Sequence, residues 1–188
     1  ILVEDNSITM LGQIDEIGLF NHIHSSIPWN KNIKNRLEKL FSFTPTSGWA
    51  NYLPTDQYKA TIQSAYITWF LKLSEIDIQK ITSRLRLKND LRDKLLAAAK
   101  LWENKDTVMP LLPGEFTEAI EIFPPLSIFS FWITERNQSS KEKIEKFVNE
   151  WRLINPNITG THLKEVGIPP GPIYHFILKK IRNAWING

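Results

Sequence analysis

The chain has 188 residues, of which 42% are hydrophobic and 23% are charged, so it predicts one domain, or one domain with a small appendage, that buries a core. It contains no cysteine, which excludes disulfides and thiolate metal sites and fits a reducing, cytoplasmic setting. Its apolar runs, such as Pro124 to Ile133, are shorter than the roughly 20 residues that cross a bilayer, so no membrane partner is expected.

Apolar residues recur at the period of an amphipathic helix along most of the chain, beginning with Ile8, Leu11, Ile14 and Ile17. Capping residues and prolines predict where the helices begin. In chain order, the predicted starts are Ser7, Asn30, Pro54, Ser74 (with Asp77), Asn89, Phe116, Leu126, Ser140, Thr161 and Pro172. No segment alternates apolar and polar residues as a strand would. We therefore predict an all-α fold, an irregular array of about nine or ten helices.

The polar segment from Thr134 to Ser140 is the nearest feature to a domain boundary, and we predict that it is an exposed hinge. It would divide a larger helical body, residues 29–136, from a small helical tail, residues 137–188. The chain begins Ile1-Leu-Val without an initiator Met or a signal-peptide pattern and stops on Gly188 directly after a helical pattern. We therefore expect it to be a piece of a longer protein.

Several common chemistries have no pattern in the sequence. There is no phosphate-binding GxxxxGK[ST] loop and no GxGxxG after a strand. His22 and His24 would lie about 200° apart around a helix, which does not suit a shared metal ion. Asp90 and Asp93 alternate with Arg92 and Lys94, so they are read as a salt-bridged helix face rather than a metal site. The sequence predicts neither catalytic nor metal-binding residues.

Basic residues concentrate in one internal segment. From Lys80 to Lys105 there are eight basic and three acidic residues, an excess of +5 that is larger than the net charge of +3 for the whole chain. Such clusters are typical of phosphate contacts, although a solubilising helix face would look the same. The candidates for RNA contact in this segment are Arg84, Arg86, Lys88 and Arg92.

A second basic cluster follows the corner Gly167 to Pro172. Gly167 is predicted to close a short helix in the left-handed conformation. Gly171 would stand beside the free amides at the start of the last helix, where anions bind readily. The basic candidates here are Lys164, Lys179, Lys180 and Arg182, and the inward face of the last helix is predicted to carry Ile173, Ile177, Ile181 and Trp185. A rigid corner without a ligand is an equally good reading of the spacing.

The C-terminal run resembles the signature of bacterial class II tRNA nucleotidyltransferases, a family of CCA-adding enzymes, their A-adding and CC-adding specialists, and related poly(A) polymerases. The matching pieces are Ile158-Thr-Gly, Leu163, Gly167, Pro169-Pro-Gly-Pro172, Ile177-Leu, Ile181-Arg-Asn-Ala184 and Gly188. Weaker likeness lies in Leu11 to Phe20 and in Leu85 to Arg92.

The resemblance implies the body and tail of such an enzyme, which hold the acceptor stem and T-arm of tRNA. Residues 1–28 would be the end of the neck or the start of the body. Glu4 and Asp5 match the first letters of the family's nucleotide-selecting template, but Ile8 stands where the template has Arg, so this match is read as chance. Neither that template nor the metal-binding carboxylates of the head is present. The resemblance therefore implies no catalysis by this chain alone, tRNA and a catalytic head as partners, and Mg²⁺ and nucleoside triphosphates only for the head.

The leading hypothesis is thus an RNA-binding region of a tRNA nucleotidyltransferase. The alternative is a helical protein-interaction module with a similar tail corner. An exposed patch formed from Trp29, Trp49, Trp132 and Trp151 would favour the module, whereas a basic surface would favour RNA. A helical hydrolase that uses His22 and His24 would require a bound metal.

Overall fold

The structure is a computed structural model that describes residues 1–2, 4 and 6–188; Asp5 of the template-like pair lies outside this range. Within it, the chain folds into thirteen α-helices and one 3₁₀ helix, with no strand. The helices are α1 (Ser7–Glu16), α2 (Leu19–Ile23), α3 (Lys31–Phe41), α4 (Ser47–Tyr52), α5 (Gln57–Phe70), α6 (Glu75–Arg84), α7 (Asn89–Glu103), α8 (Lys105–Val108), α9 (Pro113–Ile120), α10 (Pro125–Thr134), α11 (Gln138–Asn149), the 3₁₀ helix (Trp151–Leu153), α12 (Gly160–Glu165) and α13 (Ile173–Asn187).

The prediction of an all-α, irregular multi-helix array is confirmed. The described helices outnumber the nine or ten expected, because α2, α4 and α8 have only four to six residues each. A helix of that length completes less than two turns, so its sequence shows no period. Within the described part of the chain, no helix is both long and apolar enough to cross a bilayer.

Helix α10 is the centre of the fold. Every residue from Leu126 to Thr134 is buried, and the helix packs against α3, α5 and α7. Its two serines are satisfied by backbone carbonyls, since the Ser127 hydroxyl donates to Lys94 O (2.8 Å) and the Ser130 hydroxyl donates to Ser64 O (3.4 Å). A helix that is apolar on all sides must be surrounded by other elements, and this requirement sets the arrangement of its neighbours.

Two of the predicted helix starts are confirmed by side-chain caps. The Asn30 side chain accepts from the backbone N–H groups of Asn32 and Ile33 at the start of α3. The Ser74 hydroxyl accepts from the Asp77 N–H (3.2 Å) at the start of α6. These are the contacts that Asn and Ser make at helix N-termini.

Most of the other starts are wrong by one to three residues. Asn6 rather than Ser7 precedes α1, and α5, α9 and α10 begin at Gln57, Pro113 and Pro125 rather than at Pro54, Phe116 and Leu126. Lys88, not Asn89, is the capping residue of α7. The α11 cap is Asn137, whose side chain accepts from the Ser140 N–H, so Ser140 is already helical. Thr159 rather than Thr161 caps α12, because its backbone N–H is paired with the ring of His162 (3.1 Å). For α7, α11 and α12, a polar residue nearby competes for the same role.

The inward face predicted for α13 is correct for the half-buried Ile177 and Ile181 but wrong for its two end residues. Ile173 is 47% exposed and Trp185 is 58% exposed, whereas the buried residues of the helix are Asn183 and Ile186. The reason is that α13 packs on α9 through polar groups: the Asn183 amide donates to Glu118 Oε1 (2.6 Å). Ile17, which the apolar pattern of the first helix also placed on the inward face, is exposed.

The hinge segment differs from its prediction at its first residues. Thr134 and Glu135 are buried, while Arg136 to Ser139 are exposed. Glu135 Oε1 accepts from the backbone N–H groups of Arg136 (2.6 Å) and Asn137 (2.8 Å), which fixes the link between α10 and α11. Ile144, Phe147 and Val148 of α11 belong to the same hydrophobic core as the helices before it. The division at residue 137 remains a prediction.

Gly114 allows α9 and α13 to approach closely. A Cβ added to it would lie 2.7 Å from Asn183 Cα, a backbone atom that cannot turn aside. We expect Gly114→Ala to lower the free energy of unfolding by about 1–3 kcal/mol, since overpacking forces the two helices apart. Chemical denaturation measures this.

The matched control is Gly171→Ala, because a Cβ there meets nothing within 4 Å. We expect it to change stability by less than about 0.5 kcal/mol. Equal effects of the two substitutions would show that the close helix contact is not what Gly114 provides.

Candidate nucleic-acid interface

The tail corner joins α12 to α13 through a glycine in the left-handed conformation. Gly167 has φ of +84°, as predicted. Its N–H donates to Lys164 O (3.0 Å) and the Ile168 N–H donates to Leu163 O (3.0 Å), which is the Schellman arrangement for ending a helix. Gly171 differs, since it has an ordinary backbone conformation and open space around its Cα.

Tyr174 holds the corner rigid. Its hydroxyl donates to Ile168 O (2.7 Å), and its ring lies 3.0 Å from where a Cβ of Gly160 would be. The glycine of the Ile158-Thr-Gly run therefore makes room for this ring. The start of α13 has no acidic residue in its first turn, so its N-terminal partial charge is not offset within the helix.

The structure separates the basic residues of the tail into two groups. Lys179 pairs with Glu118 (2.7 Å), and Arg182 pairs with Glu121 (2.8 Å) and donates to Ile154 O (3.1 Å). These two cations bind α13 to α9. Lys164 and Lys180 are exposed, and neither forms an ion pair with any described residue. Lys180 and Lys164 are thus the tail cations best placed to contact an outside anion.

Glu118 is the centre of the α9–α13 contact. Burial alone would raise the pKa of its carboxyl, but hydrogen bonds from Lys179 and Asn183 outweigh that effect and lower the pKa below its ordinary value. A lowered pKa means that the folded state favours the carboxylate. The contact is therefore complete near neutral pH and weakens as pH falls through the pKa of Glu118.

The corner between α6 and α7 is a second Schellman arrangement, with arginine in the position of the glycine. Arg86 has φ of +51°, the one left-handed non-glycine residue among those described. The Leu87 N–H donates to Thr82 O (2.9 Å) and the Arg86 N–H donates to Ser83 O (3.1 Å). Arg86 and Arg92 line the same cleft of about 470 Å³.

The remaining body candidates lie around this corner. Lys88 is exposed in the extended link before α7. Arg84 donates to His22 O (3.4 Å) and so reaches toward α2 rather than into the Arg86 cleft. The structure therefore brings Arg86 and Arg92 together, with Lys88 adjacent, and places Arg84 apart.

The acidic and histidine pairs have local partners. Asp90 accepts from Lys94 (2.7 Å) and Gln63 (2.9 Å), and Asp93 lies 3.4 Å from Arg92. Their interpretation as a salt-bridged helix face is confirmed. The ring of His22 bonds to Gly18 O (2.9 Å) and His24 accepts from the Ser26 N–H (3.2 Å). No cluster of three possible metal-ligating side chains occurs in residues 1–2, 4 and 6–188.

Sequence reasoning missed a third group of cations. They line a cleft of about 480 Å³, here called the Trp102 cleft, at the C-terminal end of α10. Its defining residues are Arg36, Lys72, Trp102, Lys105, Thr134 and Arg136. The four cations are spread over 100 positions of the chain and come from different elements. No local run of charge in the sequence therefore predicts that they form one cluster. Only the packing around α10 brings them together.

Two more lysines lie beside this cleft. Lys39 Nζ and Lys141 Nζ are 5.6 Å and 4.1 Å from the centre of the Trp132 ring. Burial and the neighbouring Lys39 lower the pKa of Lys141 to about 8. Lys141 is close enough to the cleft for the charge of Glu135, one of its lining residues, to act on the pKa of this lysine.

Arg86→Gly should stabilise the fold, because glycine adopts the left-handed conformation without the cost that a side chain carries there. We expect the free energy of unfolding to rise by about 1 kcal/mol, measured by chemical denaturation. Arg86→Ala retains the strained backbone, so it should leave stability close to that of the wild type. If alanine stabilises as much as glycine, the backbone is not the source of the effect.

Lys141 should make stability depend on alkaline pH. Its pKa is about 8 in the folded chain and 10.5 ordinarily, so the unfolded chain binds the proton more tightly. The free energy of unfolding should therefore rise between pH 8 and pH 10. Lys141→Met should remove this contribution, whereas Lys146→Met, at an exposed lysine of the same helix, should retain it. Identical pH profiles for both variants would contradict the assignment.

Comparison with known proteins shows a similarity of fold, without a match in sequence. No protein-family profile matches the chain, and no curated protein matches its sequence. Among solved structures, a CCA-adding enzyme in apo form II aligns with all of this chain at a TM-score of 0.72 and 14% identity. The alignment covers 44% of that enzyme, so the chain spans less than half of its length. The chain therefore has a fold similar to part of a CCA-adding enzyme.

Proposed function

We propose that this chain is the RNA-holding body and tail of a tRNA nucleotidyltransferase, which positions the tRNA while another domain adds nucleotides to its 3′ end. The observation that carries the proposal is the alignment of the entire chain with part of a CCA-adding enzyme. The C-terminal run from Ile158 to Gly188 adds to it, because the glycines at positions 160 and 167 have structural roles in the corner that the run encodes.

The distribution of cations supports RNA as the partner. Basic residues lie at both helix corners: the exposed Lys88 and Arg86 with the half-buried Arg92 in the body, and the exposed Lys180 with Lys164 in the tail. Such residues suit phosphate contacts, which provide most of the affinity for nucleic acids. Double-stranded RNA hides its base edges in a deep, narrow groove, so a protein holds it through shape and backbone. Charged corners on a rigid helical array fit that task.

The interaction-module alternative required an exposed tryptophan patch. Trp49 and Trp132 are buried, and Trp29 and Trp151 are half-buried against the core. Their rings pack against other aromatic rings, such as Trp49 on Trp132 at 5.2 Å between centroids. This favours RNA over the module.

Chemistry is assigned to the parent protein rather than to this chain. In the proposal, the catalytic head supplies the carboxylates that hold Mg²⁺ and the site for nucleoside triphosphates, and the whole enzyme acts in the cytoplasm. The chain contributes position, which lowers the barrier by fixing the tRNA end relative to the reacting groups.

The test is the binding of tRNA to this chain over a salt series, with log Kd plotted against log salt concentration. We expect binding that weakens linearly with salt, with a slope of about 0.7–0.9 per phosphate contact. An absence of binding, or binding that does not respond to salt, would refute the proposal and restore the interaction module as the better hypothesis.

Lys180→Glu tests the tail. It should weaken tRNA binding by about three- to tenfold and reduce the salt slope by about 1, without loss of stability, because Lys180 has no ion pair with a described residue. The control is Lys59→Glu, an exposed residue in the first turn of α5, where a negative charge suits the helix dipole. Equal effects of both reversals would show only that net charge matters.

The Arg86 variants test the body in the same assay. Arg86→Gly and Arg86→Ala both remove the guanidinium, so both should bind tRNA more weakly by a similar factor, whatever their stability. Unchanged binding by both would remove this corner from the interface.

A further inference from the structure

The Trp102 cleft contains more positive charge than its own residues neutralise. Four cations line it and one carboxylate, Glu135, faces them. The C-terminus of α10 at Thr134 adds roughly half an elementary negative charge. A surplus of roughly 2.5 positive charges remains, so attraction to the helix end does not account for the cluster.

The single carboxylate is already engaged. Glu135 Oε1 accepts two backbone N–H groups, and its Oε2 is 3.9 Å from Lys105 Nζ. Among the described residues, Arg36 and Arg136 bond only to neutral groups. Arg36 donates to Asn32 O (3.2 Å) and Thr68 O (3.5 Å), and Arg136 donates to Asn32 Oδ1 (2.8 Å). None of Arg36, Lys72 and Arg136 has a carboxylate within 4.0 Å among the described residues.

Trp102 keeps two of the cations together. Lys72 Nζ and Lys105 Nζ lie 4.2 Å and 4.5 Å from the centre of its ring. A cation over a tryptophan face gains electrostatic attraction without losing its charge. The ring therefore holds two ammonium groups that would otherwise move apart in water. Burial, followed by Arg36, Arg136 and Lys105, lowers the pKa of Lys72, which shows that the cluster is mutually repulsive.

A hydroxyl group in the wall of the cleft also lacks a partner. Thr134 is 4% exposed, and its Oγ1 forms no hydrogen bond with any atom of the described chain. Buried hydroxyls without a partner are costly and uncommon.

We propose that the Trp102 cleft binds a phosphate group and, resting on the proposed RNA-holding function, that this phosphate belongs to the backbone of the held RNA. The cleft volume of about 480 Å³ lies in the range of small-ligand sites. A guanidinium fork and several ammonium groups around one oxyanion are the donors that phosphate recognition uses.

The experiment measures the melting temperature of this chain in millimolar inorganic phosphate against chloride of equal ionic strength. At ten times its Kd, phosphate should raise the melting temperature by roughly 3–6 °C. Lys72→Gln and Arg136→Gln should lose most of this rise. Without phosphate, Lys72→Gln should melt above the wild type, because the substitution relieves repulsion. Lys59→Gln, near the far end of α5, is the control and should behave as the wild type.

Two further titrations distinguish the source of the phosphate. With tRNA, we expect Lys72→Gln and Arg136→Gln to weaken binding by about three- to tenfold and to reduce the salt slope by about 1. With ATP, we expect affinity no more than about tenfold above that for inorganic phosphate. If ATP binds far more tightly and tRNA binding is unchanged in the variants, the cleft is a free-nucleotide site and the RNA assignment is overturned.

The remaining outcomes separate this proposal from the proposed function. If phosphate does not raise the melting temperature, or raises it in both cleft variants as much as in the wild type, the proposed phosphate site is overturned. If the phosphate effect and its loss are seen but the wild type binds no tRNA, the phosphate site stands and the RNA-holding function fails.

Discussion

The burial of α10 is the constraint on which the rest of the structure depends. Nine consecutive residues, Leu126 to Thr134, are buried, so α3, α5 and α7 must cover the helix with their apolar faces. Their polar faces then point outward or toward the ends of α10. The cations of the Trp102 cleft meet at one of those ends, beside Thr134 and Glu135. A hydrophobic requirement in the core thereby determines where charge accumulates on the surface.

One local motif is used twice with different residues. Both α6 and α12 end in a Schellman arrangement, with Arg86 in the left-handed position of the first and Gly167 in that of the second. Glycine meets the backbone requirement at no steric cost. Arginine meets it under strain, and strain that persists at a corner lined by cations is typical of a residue retained for its side chain. The same geometry thus occurs without strain at Gly167 and, at Arg86, with strain and a charged side chain.

Helical period and capping residues were sufficient to predict the fold class, because the apolar residues on the buried face of an amphipathic helix such as α3 recur at the helical period in the sequence. Short helices such as α2 left no such pattern. The basic corners were also visible, since their residues are neighbours in sequence. The Trp102 cleft was not, because Arg36 and Arg136 meet only after α10 is buried. Local rules also misplaced part of the buried side of α13, because Asn183 and Lys179 pair with Glu118 while the apolar Ile173 remains exposed.

The polar contact between α9 and α13 has a consequence for motion. The tail is bound by two ion pairs and two amide hydrogen bonds, among them the Asn187 side chain, which accepts from the Gly114 N–H (2.8 Å). Water can replace such partners at little cost, and the main hydrophobic core ends before α12. Residues 160–187 can therefore open as a cooperative unit well below the free energy of global unfolding. In such an opening, α12 and α13 would move together while the helices around α10 stay fixed.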